Sequence, residues 1–297
     1  MNEAKTIGFI GLGVMGEPIC RNMLTKSGLD FIVFDLAEEP VARLKEKGAR
    51  GAQSIADLAE QSDIVFLSLP GGKQVEEIIA GEGGILEAGR EGQIVVDLST
   101  APVGLARELA ERLEAKNMRF ADAPVARTRQ AAEAGTLSIM VGAPSDLFHK
   151  IEPLLAMAAT DVTHCGDVGC GQVLKILNNM VLFQNVVALS EALALGEAAG
   201  VERHLLFDTI SKGSGDSFAL RNHGLKAMAP DSFPVGAFST DYALKDISYA
   251  LELARELGFS VPGAELAETR LQKASKTGFG QNYFPVLARV VDRCQKS

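Results

Sequence analysis

The run Gly11-Leu12-Gly13-Val14-Met15-Gly16 stands between a β-rich apolar segment, Thr6–Ile10, and a helix-compatible segment that begins near Val14. Three glycines at this spacing constrain the chain more than any other feature. The first permits a tight turn, the second lets backbone approach a pyrophosphate, and the third lets the helix pack closely on the strand. The helix start then offers unpaired N–H groups and a positive dipole end to phosphates. A second strand pattern, Phe31–Asp35, ends in a carboxylate 19 residues after Gly16. Strand, glycine turn, helix, strand and terminal acid together describe a dinucleotide-binding unit. A carboxylate at Asp35 accepts hydrogen bonds from the adenosine ribose hydroxyls and repels a 2′-phosphate. The residues that follow, Leu36, Ala37, Glu38 and Glu39, bring no cation, so NAD is expected over NADP. Leu12, Val14 and Met15 are expected beside the cofactor, as are Leu69 and Pro70 at the end of a later strand.

Strand patterns at Thr6–Ile10, Phe31–Asp35, Asp63–Leu69, Gln93–Leu98, Met118–Asp122, Leu137–Val141 and Val162–Cys165 alternate with helical ones. The helical patterns fall near Val14–Lys26, Pro40–Lys47, Ile55–Gln61, Lys73–Ala80, Pro102–Lys116 and Pro144–Met157. Ile64-Val-Phe-Leu-Ser-Leu69 is nearly continuous in apolar residues, as befits a strand covered on both faces. Such alternation predicts a doubly wound parallel sheet, an α/β domain of the Rossmann type over residues 1–165.

From residue 166 the pattern is helical. Residues 171–199 contain no proline and read as one helix of about 44 Å, apolar around most of its circumference and therefore expected to be buried between domains or subunits. Further helices are expected near His204–Lys212, Ala219–Lys226, Tyr242–Leu257, Ala264–Lys276 and Phe284–Arg293, with no β signal. The expectation is an all-helical C-terminal domain over residues 166–297, joined to the first by the long helix.

A net charge of −9 argues against nucleic acid or an anionic membrane as partner. An anionic small molecule must then be held by a few local cations. No charged-then-apolar leader precedes the first strand, and every long apolar stretch is interrupted by Asn, Gln, Ser or Glu, so a cytoplasmic protein without a membrane span is expected. Of the four cysteines, Cys20 reads as a small buried thiol. Cys165, Cys170 and Cys294 do not make a closed zinc set, so no metal is expected.

Three groups beyond the glycine turn could carry chemistry. Asp97-Leu98-Ser99-Thr100 ends a strand at the edge where open α/β sheets bind ligands, so Ser99 and Thr100 are candidates near the reactive end of the cofactor. Equally, Thr100 or Ala101 could cap a helix before Pro102. In Asp122-Ala-Pro-Val-Ala126-Arg127-Thr128, a strand ends in a polar loop, and Arg127 offers a planar fork suited to an oxyanion. A solvated surface arginine satisfies the same pattern. Lys175 and Asn179 share one face of the long helix at i and i+4, with Asn178 beside them. A lysine in so apolar a helix is costly unless it is paired, lies at a cleft or has a depressed pKa. A neutral amine there suits proton transfer, although a side chain snorkelling from the helix also fits.

Together these residues resemble the β-hydroxyacid dehydrogenase family, which includes 3-hydroxyisobutyrate dehydrogenase. The likeness runs nearly end to end. Phe9–Gly16 is similar to its cofactor signature, and Asp122–Val125 with Gly135-Thr-Leu137 to its substrate signature. Gly171–Asn179 resembles its catalytic segment, and Lys245-Asp246 its late Lys-Asp motif. The resemblance implies Lys175 as catalytic acid/base, Asn179 as its substrate-orienting partner and Lys245 at the cofactor. Ser99, Ala126, Arg127, Thr128 and Asn178 would hold the substrate. Many members have Ser-Gly-Gly where this chain has Ala126, Arg127 and Thr128. That substitution is similar to the sulfolactaldehyde reductase branch, where the head group is a sulfonate.

The expected function is NAD-linked interconversion of a short 3-hydroxy acid and its semialdehyde, in a homodimer or homotetramer. The alternatives are a sulfolactaldehyde or dihydroxypropanesulfonate reductase and, in another class, a non-catalytic NAD-binding module.

Overall fold

A computed structural model describes residues 5–292. It divides into two compact units, the first ending at Lys175 and the second beginning at Ile176.

In the first unit β1 (Thr6–Ile10), α1 (Gly16–Ser27), β2 (Asp30–Phe34), α2 (Glu38–Lys45), β3 (Arg50–Gly51), α3 (Ile55–Gln61) and β4 (Ile64–Leu67) follow one another. Next come α4 (Gly72–Ala80), α5 (Ile85–Ala88), β5 (Ile94–Asp97), α6 (Val103–Glu114), β6 (Arg119–Asp122) and β7 (Val125–Ala126). The unit continues with α7 (Arg129–Ala134), β8 (Leu137–Gly142), α8 (Ser145–Leu155) and β9 (Ala159–Gly166). The strands form one sheet in the order β3-β2-β1-β4-β5-β6-β8-β7, with β9 on β8. The first six are parallel and have the 3-2-1-4-5-6 order of dinucleotide-binding folds. The sheet is not parallel throughout, because β8 runs antiparallel to β6 and β7.

Alternate residues of the central strands enter cores on opposite faces. Ile7, Phe9, Phe31, Val33, Phe66 and Val96 pack with Ile19, Cys20 and Met23 of α1 and with Leu147 and Ile151 of α8. Ile10, Ile32, Val65, Leu67 and Val95 face Leu58 of α3, Val75 and Ile79 of α4, and Leu109 of α6. The near-continuous apolar strands thus follow from burial on both sides. The elements absent from the sequence reading, β3, α5, β7 and α7, are six residues or shorter, too short to show a period.

Helix α9 (Cys170–Ala198) carries the chain into the second unit. By length and composition it is apolar enough to cross a membrane, which the sequence reading discounts. Nor is it buried all round. One stripe, including Gln172, Ile176, Asn179, Phe183, Val186 and Ser190, is buried, whereas Leu174, Val181 and Leu195 are exposed in the single chain. The buried stripe is partly polar and hydrogen-bonded, the character of a core helix.

The second unit contains α10 (Arg203–Ile210), α11 (Thr240–Glu256) and α12 (Pro262–Ala274). The segment expected as an ordinary helix near Ala219–Lys226 is a π-helix, Leu220–Met228, and α12 runs on into a π-turn over Ser275–Phe279. The last helical pattern is a 3₁₀ turn, Phe284–Arg289; its expected end at Arg293, and Cys294, lie outside the described residues. Small residues of α11 (Ala243, Ala250, Ala254) and α12 (Ala264, Ala267) are buried where these helices pack. Among the described residues of this unit, two isolated antiparallel bridges, Val235–Asn282 and Ser239–Tyr283, are the β contacts.

Candidate active site

The glycine turn shows why each glycine is needed. Gly11 has φ +91°, and a Cβ there would lie 2.3 Å from the Ser68 carbonyl oxygen. A Cβ on Gly16 would lie 2.0 Å from the Gly11 carbonyl oxygen. A Cβ on Gly13, by contrast, would meet no protein atom within 4 Å. Two glycines therefore serve packing, and the third keeps open a cradle at the start of α1. Asp35 lies beside it: Oδ2 accepts from Leu12 N at 2.5 Å and Oδ1 from Ala37 N at 2.8 Å. A carboxylate has about four acceptor sites, so two backbone donors leave capacity for ribose hydroxyls. The residues present fit a dinucleotide.

At the carboxyl ends of β4 and β5 the Ser99 hydroxyl accepts from Leu69 N at 2.8 Å. Neither Thr100 nor Ala101 caps α6. Pro102 occupies the cap position, and Ala101 N donates instead to Gln172 Oε1 at 3.1 Å. The Gln172 amide, fully buried, also donates to the Ser99 carbonyl at 2.8 Å. Its neighbour in space is Asp122, whose two oxygens accept from Gly169 N at 2.6 Å and Gln172 N at 2.7 Å. A carboxylate at a helix start complements the dipole. Burial nevertheless outweighs these donors and pushes the Asp122 carboxyl up to about 6. Asp122 and Gln172 thus pin the first turn of α9 to the sheet, one turn before Lys175. Nothing local in the sequence marks either residue for this role.

Ala126 pairs with Ser138 across β7 and β8, and the Thr128 hydroxyl caps α7, accepting from Ala131 N at 3.4 Å. Arg127 is expected to face an anionic ligand. Its guanidinium donates to Thr160 Oγ1 at 2.8 Å, to the Thr136 carbonyl at 2.6 Å and to Asp161 Oδ2 at 2.6 Å. Its backbone, at φ +85°, is left-handed, a state costing a non-glycine residue of order 1–3 kcal/mol. Thr160 and then Arg127 hold the Asp161 carboxyl below its usual range.

In the second unit Asn179 and Asp246 are buried at 2% and 1% exposure, and Asn179 Nδ2 donates to Asp246 Oδ2 at 2.7 Å. Asn178 Nδ2 in turn donates to Asn179 Oδ1 at 3.1 Å, which fixes the amide's orientation. Lys245 Nζ lies 3.0 Å from Asp246 Oδ1 and 4.0 Å from the centre of the Tyr242 ring. One buried carboxylate therefore orders an amide on α9 and an ammonium on α11. Asp246 stands in the Lys245-Asp246 motif, but nothing in its local sequence points to this function. Lys175 lies one turn before Asn179 on α9, half-buried.

Residues 6–166 match the family described as the NAD binding domain of 6-phosphogluconate dehydrogenase, over more than half of the chain. Residues 169–291 match the one described as NAD-binding of NADP-dependent 3-hydroxyisobutyrate dehydrogenase. The chain is 36% identical over 290 residues to 2-(hydroxymethyl)glutarate dehydrogenase of Eubacterium barkeri, spanning 98% of this chain and 96% of that relative. The chain belongs to the β-hydroxyacid dehydrogenase family. It is also 37% identical over 266 residues to 3-hydroxyisobutyrate dehydrogenase of Pseudomonas aeruginosa, covering 88% of this chain and 89% of the relative. Among solved structures, Mycobacterium tuberculosis 3-hydroxyisobutyrate dehydrogenase with L-serine matches at a TM-score of 0.87 and 30% identity, over 96% of this chain and 98% of that one. The dehydrogenase is accordingly an oxidoreductase of small hydroxy acids that uses a nicotinamide dinucleotide.

Proposed function

We propose that this dehydrogenase oxidises 2-substituted 3-hydroxypropanoates to their semialdehydes, reversibly and with NAD. The observation that carries the reading is the buried Asn179–Asp246–Lys245 network one helical turn from Lys175. The substrate class follows from what the relatives' substrates share. 3-Hydroxyisobutyrate, 2-(hydroxymethyl)glutarate and L-serine, the last the substrate named for an NAD-dependent L-serine dehydrogenase of Pseudomonas aeruginosa 33% identical to this chain, each carry a CH₂OH group on the carbon beside a carboxylate. They differ in the third substituent: methyl, carboxyethyl or ammonium.

A bound nicotinamide ring supplies the hydride acceptor. In oxidation neutral Lys175 takes the hydroxyl proton as the carbinol carbon loses hydride, and in reduction the ammonium returns it. Asn179, oriented by Asn178 and Asp246, donates to the reacting oxygen. Donors along Ala126–Thr128, with Ser99 and Asn178, hold the carboxylate. Gly11, Gly13 and Gly16 with Leu12, Val14 and Met15 cradle the pyrophosphate, Asp35 takes the ribose hydroxyls, and Leu69, Pro70, Thr100 and Lys245 border the nicotinamide half. A homodimer or homotetramer belongs to the same reading, supported by exposed Leu174, Val181 and Leu195 on α9. Light scattering checks the mass.

The test is turnover of 3-hydroxyisobutyrate, L-serine, 2-(hydroxymethyl)glutarate, glycerate and dihydroxypropanesulfonate with NAD and NADP. Turnover of one or more of the first four with NAD is expected. Turnover of the sulfonate alone, or of none, overturns the substrate class. Preference for NADP overturns the role of Asp35.

A further inference from the structure

Arg127 combines a strained backbone with an unusually complete set of partners. Its left-handed φ of +85° is one that side chains disfavour and glycine adopts readily. The partners are built by an irregularity in the sheet. β8 and β9 pair as Leu137↔Ala159 and Ser138↔Asp161, so Thr160 is an extra residue in a bulge. In a regular strand successive side chains point to opposite faces. The bulge re-aims them, and Thr160 Oγ1 and Asp161 Oδ2 reach one guanidinium at 2.8 and 2.6 Å. Thr160 also donates to the same carboxylate oxygen at 2.8 Å, while the Thr136 carbonyl takes a further Arg127 N–H at 2.6 Å. The guanidinium thereby joins the β7 loop to the start of β8 and to β9.

We propose that Arg127 is a positioning residue: anchored on the Thr160–Asp161 bulge, it holds the Ala126–Thr128 backbone in the shape that receives the substrate carboxylate. This rests on the reading that the loop faces substrate. It replaces the expectation that the Arg127 charge itself meets the anion, because Asp161 already neutralises that charge. Arg127 and Asp161 are both substantially exposed, and an exposed ion pair adds little global stability. Its effect belongs in the geometry of the loop, and so in KM.

Four outcomes separate a clamp from a substrate-binding cation. If Arg127 bound the anion, removing Asp161 would release it and KM would fall or stay constant. For a clamp, Asp161→Asn and Arg127→Ala damage the same thing. Each is expected to raise KM for the best hydroxy-acid substrate roughly 5–20-fold, with kcat and the KM for NAD within about twofold. The double variant should be no worse than the worse single, the non-additivity of one shared interaction. Arg127→Gly, at ease with the left-handed backbone, should recover a large part of the Arg127→Ala loss. Amide exchange over residues 125–136 should quicken in both single variants, a readout that needs no substrate. Unchanged KM and exchange in Asp161→Asn, or Arg127→Gly worse than Arg127→Ala, overturns the clamp. Faster exchange in a protein that turns over no hydroxy acid would keep the clamp and sink the substrate reading instead.

Discussion

The side-chain amide of Asn179 donates to the carboxylate of Asp246 over 2.7 Å, and both groups are buried. The remaining oxygen of that carboxylate lies 3.0 Å from Lys245 Nζ. Asp246→Asn preserves shape but removes the charge beside Lys245 and puts an N–H₂ group against either the Asn179 donor or the Lys245 ammonium. The expected outcome is a loss of kcat of roughly 10–100-fold with a change in melting temperature too small to explain it. Steady-state kinetics alongside thermal unfolding reads both. Full activity in Asp246→Asn would remove the network from the mechanism.

Lys175 is assigned the proton. General acid–base catalysis contributes about 10²–10⁴-fold, so Lys175→Ala should lose turnover on that scale. Binding of NAD, followed by calorimetry, should stay within about threefold, since Gly11, Gly13, Gly16 and Asp35 are untouched. Parallel loss of cofactor binding would show that the lysine supports structure or cofactor and not proton transfer.

The glycine turn offers a paired test. Gly13→Ala places a methyl in space that no protein atom occupies within 4 Å, so folding should be unaffected. Gly16→Ala drives a Cβ to 2.0 Å from the Gly11 carbonyl oxygen, and the turn must move. The melting temperature should therefore hold in the first variant and fall by several degrees in the second, about 1–3 kcal/mol of strain. Both should bind NAD more weakly. Normal NAD affinity in Gly13→Ala would mean that the cradle is not where the pyrophosphate lies.

How much of this was legible in the sequence depended on distance along the chain. Gly11, Gly13, Gly16 and Asp35 are read from one short βαβ pattern, and Lys175 with Asn179 from a helical repeat. Both are local periodicities that tertiary structure did not change. The partner of Asn179 is 67 residues away at Asp246, and nothing in either segment names the other. Arg127 was legible as a cation but not in its direction. Its guanidinium is received by a bulge 33 and 34 residues later, which composition does not report. Gln172 was hidden for a further reason: a buried amide satisfied by Ser99 and Ala101 looks in sequence like any polar interruption of an apolar helix.

Asp122 predicts a pH signature in stability. Burial raises its folded pKa to about 6 from an ordinary 3.8. Between those values the folded state holds a proton that the unfolded state has lost, so unfolding stability falls as pH rises. The contribution is fully present below about pH 4 and is lost as pH passes through 6, with a span of up to about 3 kcal/mol. Asp122→Asn cannot titrate. Its stability relative to the parent protein should therefore improve between pH 4.5 and 7, whatever its absolute cost from meeting Gly169 N and Gln172 N with an amide. Urea unfolding of both proteins at the two pH values supplies the comparison. A difference that does not change with pH would mean that the two backbone donors keep Asp122 ionised at both, and that helix α9 is anchored by a permanent charge.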